Sequence, residues 1–467
     1  MSLDLRQLQG LLTSAFPRSP AGRYVLIEVR DAALARAWLR ALIDHVTFAD
    51  EVDEQIRARR TGDRPNVNVA FSAAGLAALG VSADRMTDFS REFREGMVTP
   101  HRQRVLGDLD GSPGDPNRWR WGGPRNRPIH GVLLVFAADE TALDAFVAAS
   151  VGGRTGVRVV HTVSTVSTVG AREHFGFRDA IASPWVSELH RARADRDRVA
   201  AGELLLGQPD LTGRAEPYPP LGRDGSYLVI RQLAQDVPGF WSALRQAVGD
   251  DRAVRWAAKM TGRWPDGTPL VRGPEGPAGD PSDDFGYHDD PDGIRCPLGA
   301  HIRRANPRDG FGAKPAESIK LVNRHRIFRR GRAFGPAAPP ETWPTGIDPV
   351  DVDGDRPDES GHRGVVFVCL GASLARQFEF VQQSWLNNPK FAGLYDENDP
   401  VAGSRHRRMS PSSTGFAFTA PGPVLNDRIE LPAKYVHCLG GGYFFLPGRA
   451  ALHTISDDPG RAPTTGR

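Results

Sequence analysis

The sequence predicts an α+β protein built as two similarly ordered halves. Three observations carry this. Apolar runs of strand length recur between turn-rich stretches, helical periodicity follows several of them, and the strand–helix–strand order starts again near Gly222. A chain of 467 residues, 40% hydrophobic and 25% charged, is long enough for two domains with substantial cores.

The elements follow in order. Tyr24 to Arg30 (YVLIEVR) reads as a strand. Residues 32–45 read as an amphipathic helix, with Leu34, Trp38, Leu42 and Val46 at helical spacing. Residues 67–71 (VNVAF) form the next strand and 74–79 a short helix. Strands at 131–136 (GVLLVF) and 157–160 flank a helix at 139–150. In the second half, 227–233 (YLVIRQL) is a strand and 239–248 a helix. Residues 364–370 (GVVFVCL) are a strongly apolar strand, 372–386 a helix and 442–446 a last strand. This order is that of ferredoxin-like units with antiparallel sheets. The expected division is 1–222, 223–456 and a disordered tail at 457–467. A long Gly/Pro/Asp-rich stretch, 263–295, leads directly into His301; loops of that length are usually either disordered or functional.

Composition narrows the function. With 59 basic and 56 acidic residues the net charge is +3, which gives no electrostatic case for a nucleic-acid partner. No apolar run approaches the ~18 residues of a membrane span. Cys296, Cys369 and Cys438 form no CxxC pair, so a zinc site or redox dithiol is not expected. The N-terminus shows no secretory pattern, so cytoplasmic residence is expected.

Three segments carry chemistry. In Cys296–Arg308 (CPLGAHIRRANPR) a single histidine, His301, precedes three arginines. Imidazole can ligate iron, and arginines can pair with carboxylates. In Phe175–Pro184 (FGFRDAIASP), Asp179 lies in an apolar-flanked turn, where a carboxylate can be partly desolvated and can shuttle a proton. In His325–Gly335 (HRIFRRGRAFG), Arg329 follows two apolar residues and can project from a strand end into a cavity, to stabilise negative charge. Taken alone, these read more readily as a core or surface histidine, a turn or helix-cap aspartate and a solvated basic loop.

Together with AAKMTGRWPDGTPLV, DDFGY, GVVFVCLGASLARQFEFVQQSWLNN and GGGYFFLPG, these segments resemble the dye-decolorising (DyP-type) haem peroxidases, larger bacterial type, from about residue 20 to about residue 450. The resemblance implies two halves of the dimeric α/β-barrel type: 1–222 carrying the distal aspartate and 223–456 binding haem b. It implies His301 as the iron ligand, Asp179 as the distal aspartate with Gly176 as the first glycine of its motif, and Arg329 as the distal arginine. Val365 and Phe367, two apart on one strand and so on one face, match the apolar pair that keeps the distal pocket dry. Arg303 is assigned to a haem propionate, Phe334 to the haem edge, and Glu379 to the far nitrogen of His301. The partners implied are hydrogen peroxide and a bulky aromatic electron donor oxidised in one-electron steps, with a homo-oligomer allowed.

One departure matters. The family motif has glycine after the aspartate, and here the residue is Ala180. If the backbone there needs positive φ, alanine costs about 1 kcal/mol or shifts the turn, and Asp179 with it. Two other readings therefore stay open at this point: a haem- or haem-iron-handling protein with weak peroxidase turnover, and a ferredoxin-like binding protein without haem.

Overall fold

The computed structural model describes residues 3–57, 64–153, 155–168, 172–190, 194–350, 361–404, 416–421 and 427–457. Residues 458–467 of the expected tail lie outside them.

The N-terminal strands are β1 (Ala21–Val29), β2 (Asn66–Phe71), β3 (Gly131–Ala137) and β4 (Val157–Val166), paired antiparallel in the order β2-β3-β1-β4. The later strands are β5 (Ser226–Gln235), two short strands β6 (Phe328–Arg329) and β7 (Arg332–Phe334), and β8 (Gly364–Gly371). A separate hairpin, β9 (Phe416–Ala420) and β10 (Asp427–Leu431), precedes β11 (Val436–Leu446). β5 lies between β11 and β8, and β8 takes both β6 and β7 on its other edge. Both sets thus repeat the order fourth-first-third-second of a ferredoxin-like sheet. The sets join at two narrow seams, Phe71 against Phe445 and Val166 against Ala333, and the sheet closes on itself as a barrel.

Side-chain alternation divides the strands between two cores. Tyr24, Leu26, Leu134, Ile230, Val366 and Val368 point into the barrel, where residues of both sets pack together. Val25, Ile27, Val67, Val69, Leu133 and Val135 point outward, under a layer of helices. The helix Ala32–Ile43 belongs to that layer. Asp31 caps it by accepting from Leu34 N at 2.9 Å, and Ala35, Trp38, Leu39, Leu42 and Ile43 are buried. Leu34, expected on the buried face, is 46% exposed instead, because it lies about 100° from Ala35 on the helical wheel. Val46 is buried but lies beyond the helix, bridged to Val67.

The expected helix 372–386 is wound in wide π turns, Ala375–Glu379 and Val381–Leu386, with Glu379 N bonded to Leu374 O and Asn387 N to Gln382 O, each at 2.9 Å. The helices Val237–Val248 and Asp250–Thr261 share a third core with Phe175, Phe177 and Trp343. Among the described residues no helix is long and apolar enough to cross a membrane.

Candidate active site

The outer face of the second sheet forms one wall of a cavity of about 760 Å³, a size that suits a cofactor or a drug-sized ligand. Val365 and Phe367 face it, because they alternate along β8 with the barrel residues Val366 and Val368. Arg329 faces it because its neighbour Phe328 turns into the barrel. Asp179 and His301 line the same cavity.

Asp179 is presented by a turn tied at several points. Glu173 N donates to Phe177 O at 2.9 Å, and Gly176 N donates to Glu173 O at 2.8 Å. The Glu173 carboxylate accepts from Phe175 N (3.0 Å), Phe177 N (3.1 Å) and Gln235 Nε2 (2.6 Å). Gly176 has φ +95°, and a Cβ there would lie 2.6 Å from Ile347 and 2.8 Å from Trp343, so only glycine fits. Phe175 and Phe177 anchor the turn against Phe240 and Trp241, with ring centroids 4.6 and 6.5 Å apart. Ala180 does adopt positive φ, at +59°. The turn nevertheless holds its carboxylate in place. Arg329 Nη1 donates to Asp179 Oδ1 at 3.1 Å and Arg329 Nη2 to Ala182 O at 3.3 Å. Burial raises the Asp179 pKa, but the Arg329 guanidinium and the Ala180 amide outweigh it and hold the carboxyl below its ordinary value. Burial dominates at Glu173 and pushes it up to about 7.

His301 opens the short helix His301–Ala305, and its Nδ1 meets both oxygens of Asp399 at 3.0 Å. Asp399 is fully buried and also accepts from Val401 N (2.9 Å) and Ala402 N (2.7 Å). Burial raises its pKa, but His301 and these amides outweigh that and hold it below its ordinary value; Asp399 in turn raises His301 against burial. With Nδ1–H given to Asp399, Nε2 of the neutral ring keeps its lone pair for a metal.

Several expected roles are corrected. Glu379 does not reach His301. It accepts from Arg102 Nη1 at 2.7 Å and from Tyr443 Oη at 2.8 Å, and Asp399 is the carboxylate partner of His301 instead. Arg303 is buried away from the cavity lining. Its guanidinium donates to Asp290 Oδ2 (3.0 Å), Asp290 O (2.6 Å) and Cys296 O (2.6 Å) and lies 4.6 Å over the Tyr287 ring, so it fastens the long loop rather than a propionate. Arg304, also fully buried, donates to the carbonyls of Gly299, Trp385, Asn388 and Glu397, which draws the Asp399 segment toward His301. Phe334 is 2% exposed inside the barrel and does not line the cavity.

The donor set fits a haem. Among the described residues there is no cluster of three His, Cys, Asp or Glu able to hold a bare metal ion. A haem iron would need one protein ligand from this lining, and His301 with its carboxylate partner would suit that role. The apolar wall of Val365, Phe367 and Phe378 suits a flat apolar ring.

Comparison with known proteins agrees. Residues 8–168 match the family model described as the DyP dimeric alpha+beta barrel domain. The multifunctional dye peroxidase DyP2 of an Amycolatopsis species is 30% identical over 463 residues, covering 91% of this chain and 90% of that one. The dye-decolorizing peroxidase msp1 of Mycetinis scorodonius is 28% identical over 479 residues, covering 97% and 88%. Among solved structures, an ancestral D-type dye-decolorizing peroxidase superposes with a TM-score of 0.79 at 29% identity, covering 97% of this chain and 99% of that one.

Proposed function

Because this chain belongs to the dye-decolorising peroxidase family and is a DyP-type peroxidase, we propose that it binds haem b through His301 and uses hydrogen peroxide to oxidise bulky aromatic donors in one-electron steps, with Asp179 and Arg329 as the acid–base and charge-stabilising pair. The observation that supports this is the convergence on one cavity of the Asp179–Arg329 pair and of a histidine backed by Asp399.

When bound, the haem supplies an iron that reduces peroxide and is itself re-reduced one electron at a time. The Asp179 carboxylate, ionised because Arg329 holds its pKa down, takes a proton from one oxygen of hydrogen peroxide and returns it to the other. Arg329 stabilises the negative charge that grows on the departing oxygen. Asp399 fixes the tautomer and orientation of His301 and makes it a more basic ligand. Val365 and Phe367 exclude water. A low aspartate pKa keeps the base ionised at acid pH, where a histidine base is protonated.

The proposed organisation assigns 1–222 to the half that carries Asp179 and 223–456 to the half that carries His301. The barrel closes within one chain, so the site needs no second copy, and a homo-oligomer would be an addition rather than a requirement. The proposed residence is the cytoplasm, in keeping with three buried, unpaired cysteines. The alternative reading, haem handling without useful turnover, drew on displacement of Asp179 by Ala180. It loses that ground with Asp179 bonded to Arg329.

The test is stopped-flow absorbance of hemin-loaded protein mixed with stoichiometric peroxide near pH 5. Wild type should change spectrum rapidly, Asp179→Asn should slow that change by ~100-fold or more, and His301→Ala should not hold hemin. An unchanged rate in Asp179→Asn would remove the proton-shuttle role.

A further inference from the structure

The cations that line the cavity differ in one respect. Arg329 is paired with Asp179 (3.1 Å), Arg231 with Asp108 (2.6 Å), Arg263 with Asp283 (2.9 Å), Arg308 also with Asp283, and Arg326 with Asp197. Arg178 also lines the cavity but is exposed to water. Lys434 is different. It sits on the connection between β10 and β11, fixed next door by Asp236 N donating to Tyr435 O at 2.8 Å. Its side chain is half-buried against the cavity and has no hydrogen bond or ion pair among the described residues. Burial without a contacting carboxylate pushes the ammonium down to about 7, although Asp399 and Asp108 act on it from farther away. A desolvated charge with no partner is costly, and an anion is what relieves it. With Arg303 bound to Asp290, the anionic edge of a bound ligand also lacks the partner the sequence proposed for it.

We propose that Lys434 is a ligand-binding residue of this cavity and receives a carboxylate or sulfonate carried on a planar ring system. This rests on the peroxidase reading above. The anion has two sources, a propionate of the bound macrocycle or the acid group of an aromatic donor.

Lys434→Met keeps the length of the stem and removes the charge. Since the ammonium has no partner among the described residues, the variant should fold as wild type does. The unloaded protein is titrated with hemin and with hemin dimethyl ester, followed by Soret absorbance. Separately it is dialysed against anthraquinone-2-sulfonate and its neutral hydroxymethyl analogue. An affinity for hemin about tenfold weaker in Lys434→Met, with the ester unchanged, assigns the site to the cofactor; tenfold is about 1.4 kcal/mol. A tenfold loss confined to the sulfonate assigns it to the donor. In either case Lys434→Arg should restore binding. Equal affinities of wild type and Lys434→Met for all four probes overturn the proposal. If wild type gave no Soret band the haem reading would fail, and the dialysis arm would still decide the role of Lys434.

Discussion

Ala180→Gly should stabilise the protein, because Ala180 is held at φ +59°. An L-residue with a Cβ costs roughly 1–2 kcal/mol in that region, and glycine costs nothing there. Against this, glycine gives the unfolded chain more freedom, worth about 0.4–1 kcal/mol. The Ala180 side chain is exposed, so its removal leaves no cavity. The difference is a net gain of about 0.5–1 kcal/mol. Urea unfolding of the hemin-loaded variant should therefore show a higher midpoint at unchanged slope. Peroxide reactivity should stay within a few-fold of wild type, since Asp179 is held by Arg329 on one side and by the Glu173-tied turn on the other. A midpoint lower than wild type, or a large loss of reactivity, would refute the reasoning. It would mean that the alanine methyl, not merely its backbone conformation, holds the turn.

Two further outcomes are expected. Asp399→Asn should retain hemin but raise the iron reduction potential, because the ring of His301 loses its carboxylate partner; spectroelectrochemistry that finds no change would remove that role. Glu173 titrates near 7 in the fold and at its ordinary, lower value when unfolded, so the folded form holds the proton more tightly. Its contribution is fully present below about pH 4.5 and declines as pH rises through 7. Glu173→Gln should flatten that decline in urea midpoints between pH 4.5 and 7.5, and an unaltered pH profile would show that Glu173 does not titrate there.

Much of the fold was legible because its strands are long apolar runs such as GVLLVFA, buried on both faces, and GVVFVCLG, with one face in the barrel and part of the other on the cavity. β6 and β7 were not, because two- and three-residue strands among five arginines carry no periodicity. At the site, His301, Asp179, Arg329, Val365 and Phe367 were singled out in the sequence, and the structure brings them to one cavity. Asp399 was missed. Asn398-Asp399-Pro400 looks like any turn, and its role depends on a contact across 98 residues. Glu379 was favoured for its place on a nearby helix, but the wide turns there direct it to Tyr443 and Arg102. Arg303 and Arg304 look like exposed charge in sequence. Only the carbonyls around them show that they are internal fasteners. Lys434 carried no signal at all, since a lysine without a partner among the described residues is defined by what surrounds it.

The bond between His301 and Asp399, reinforced by Arg304, closes a long excursion of chain at its base. Between these residues the chain builds β6, β7 and β8 into the barrel before it returns. Closure entropy rises only slowly with length, about 0.6 kcal/mol for each doubling. A loop that connects those strands can therefore change length at small entropic cost while this bond holds the His301 imidazole in place.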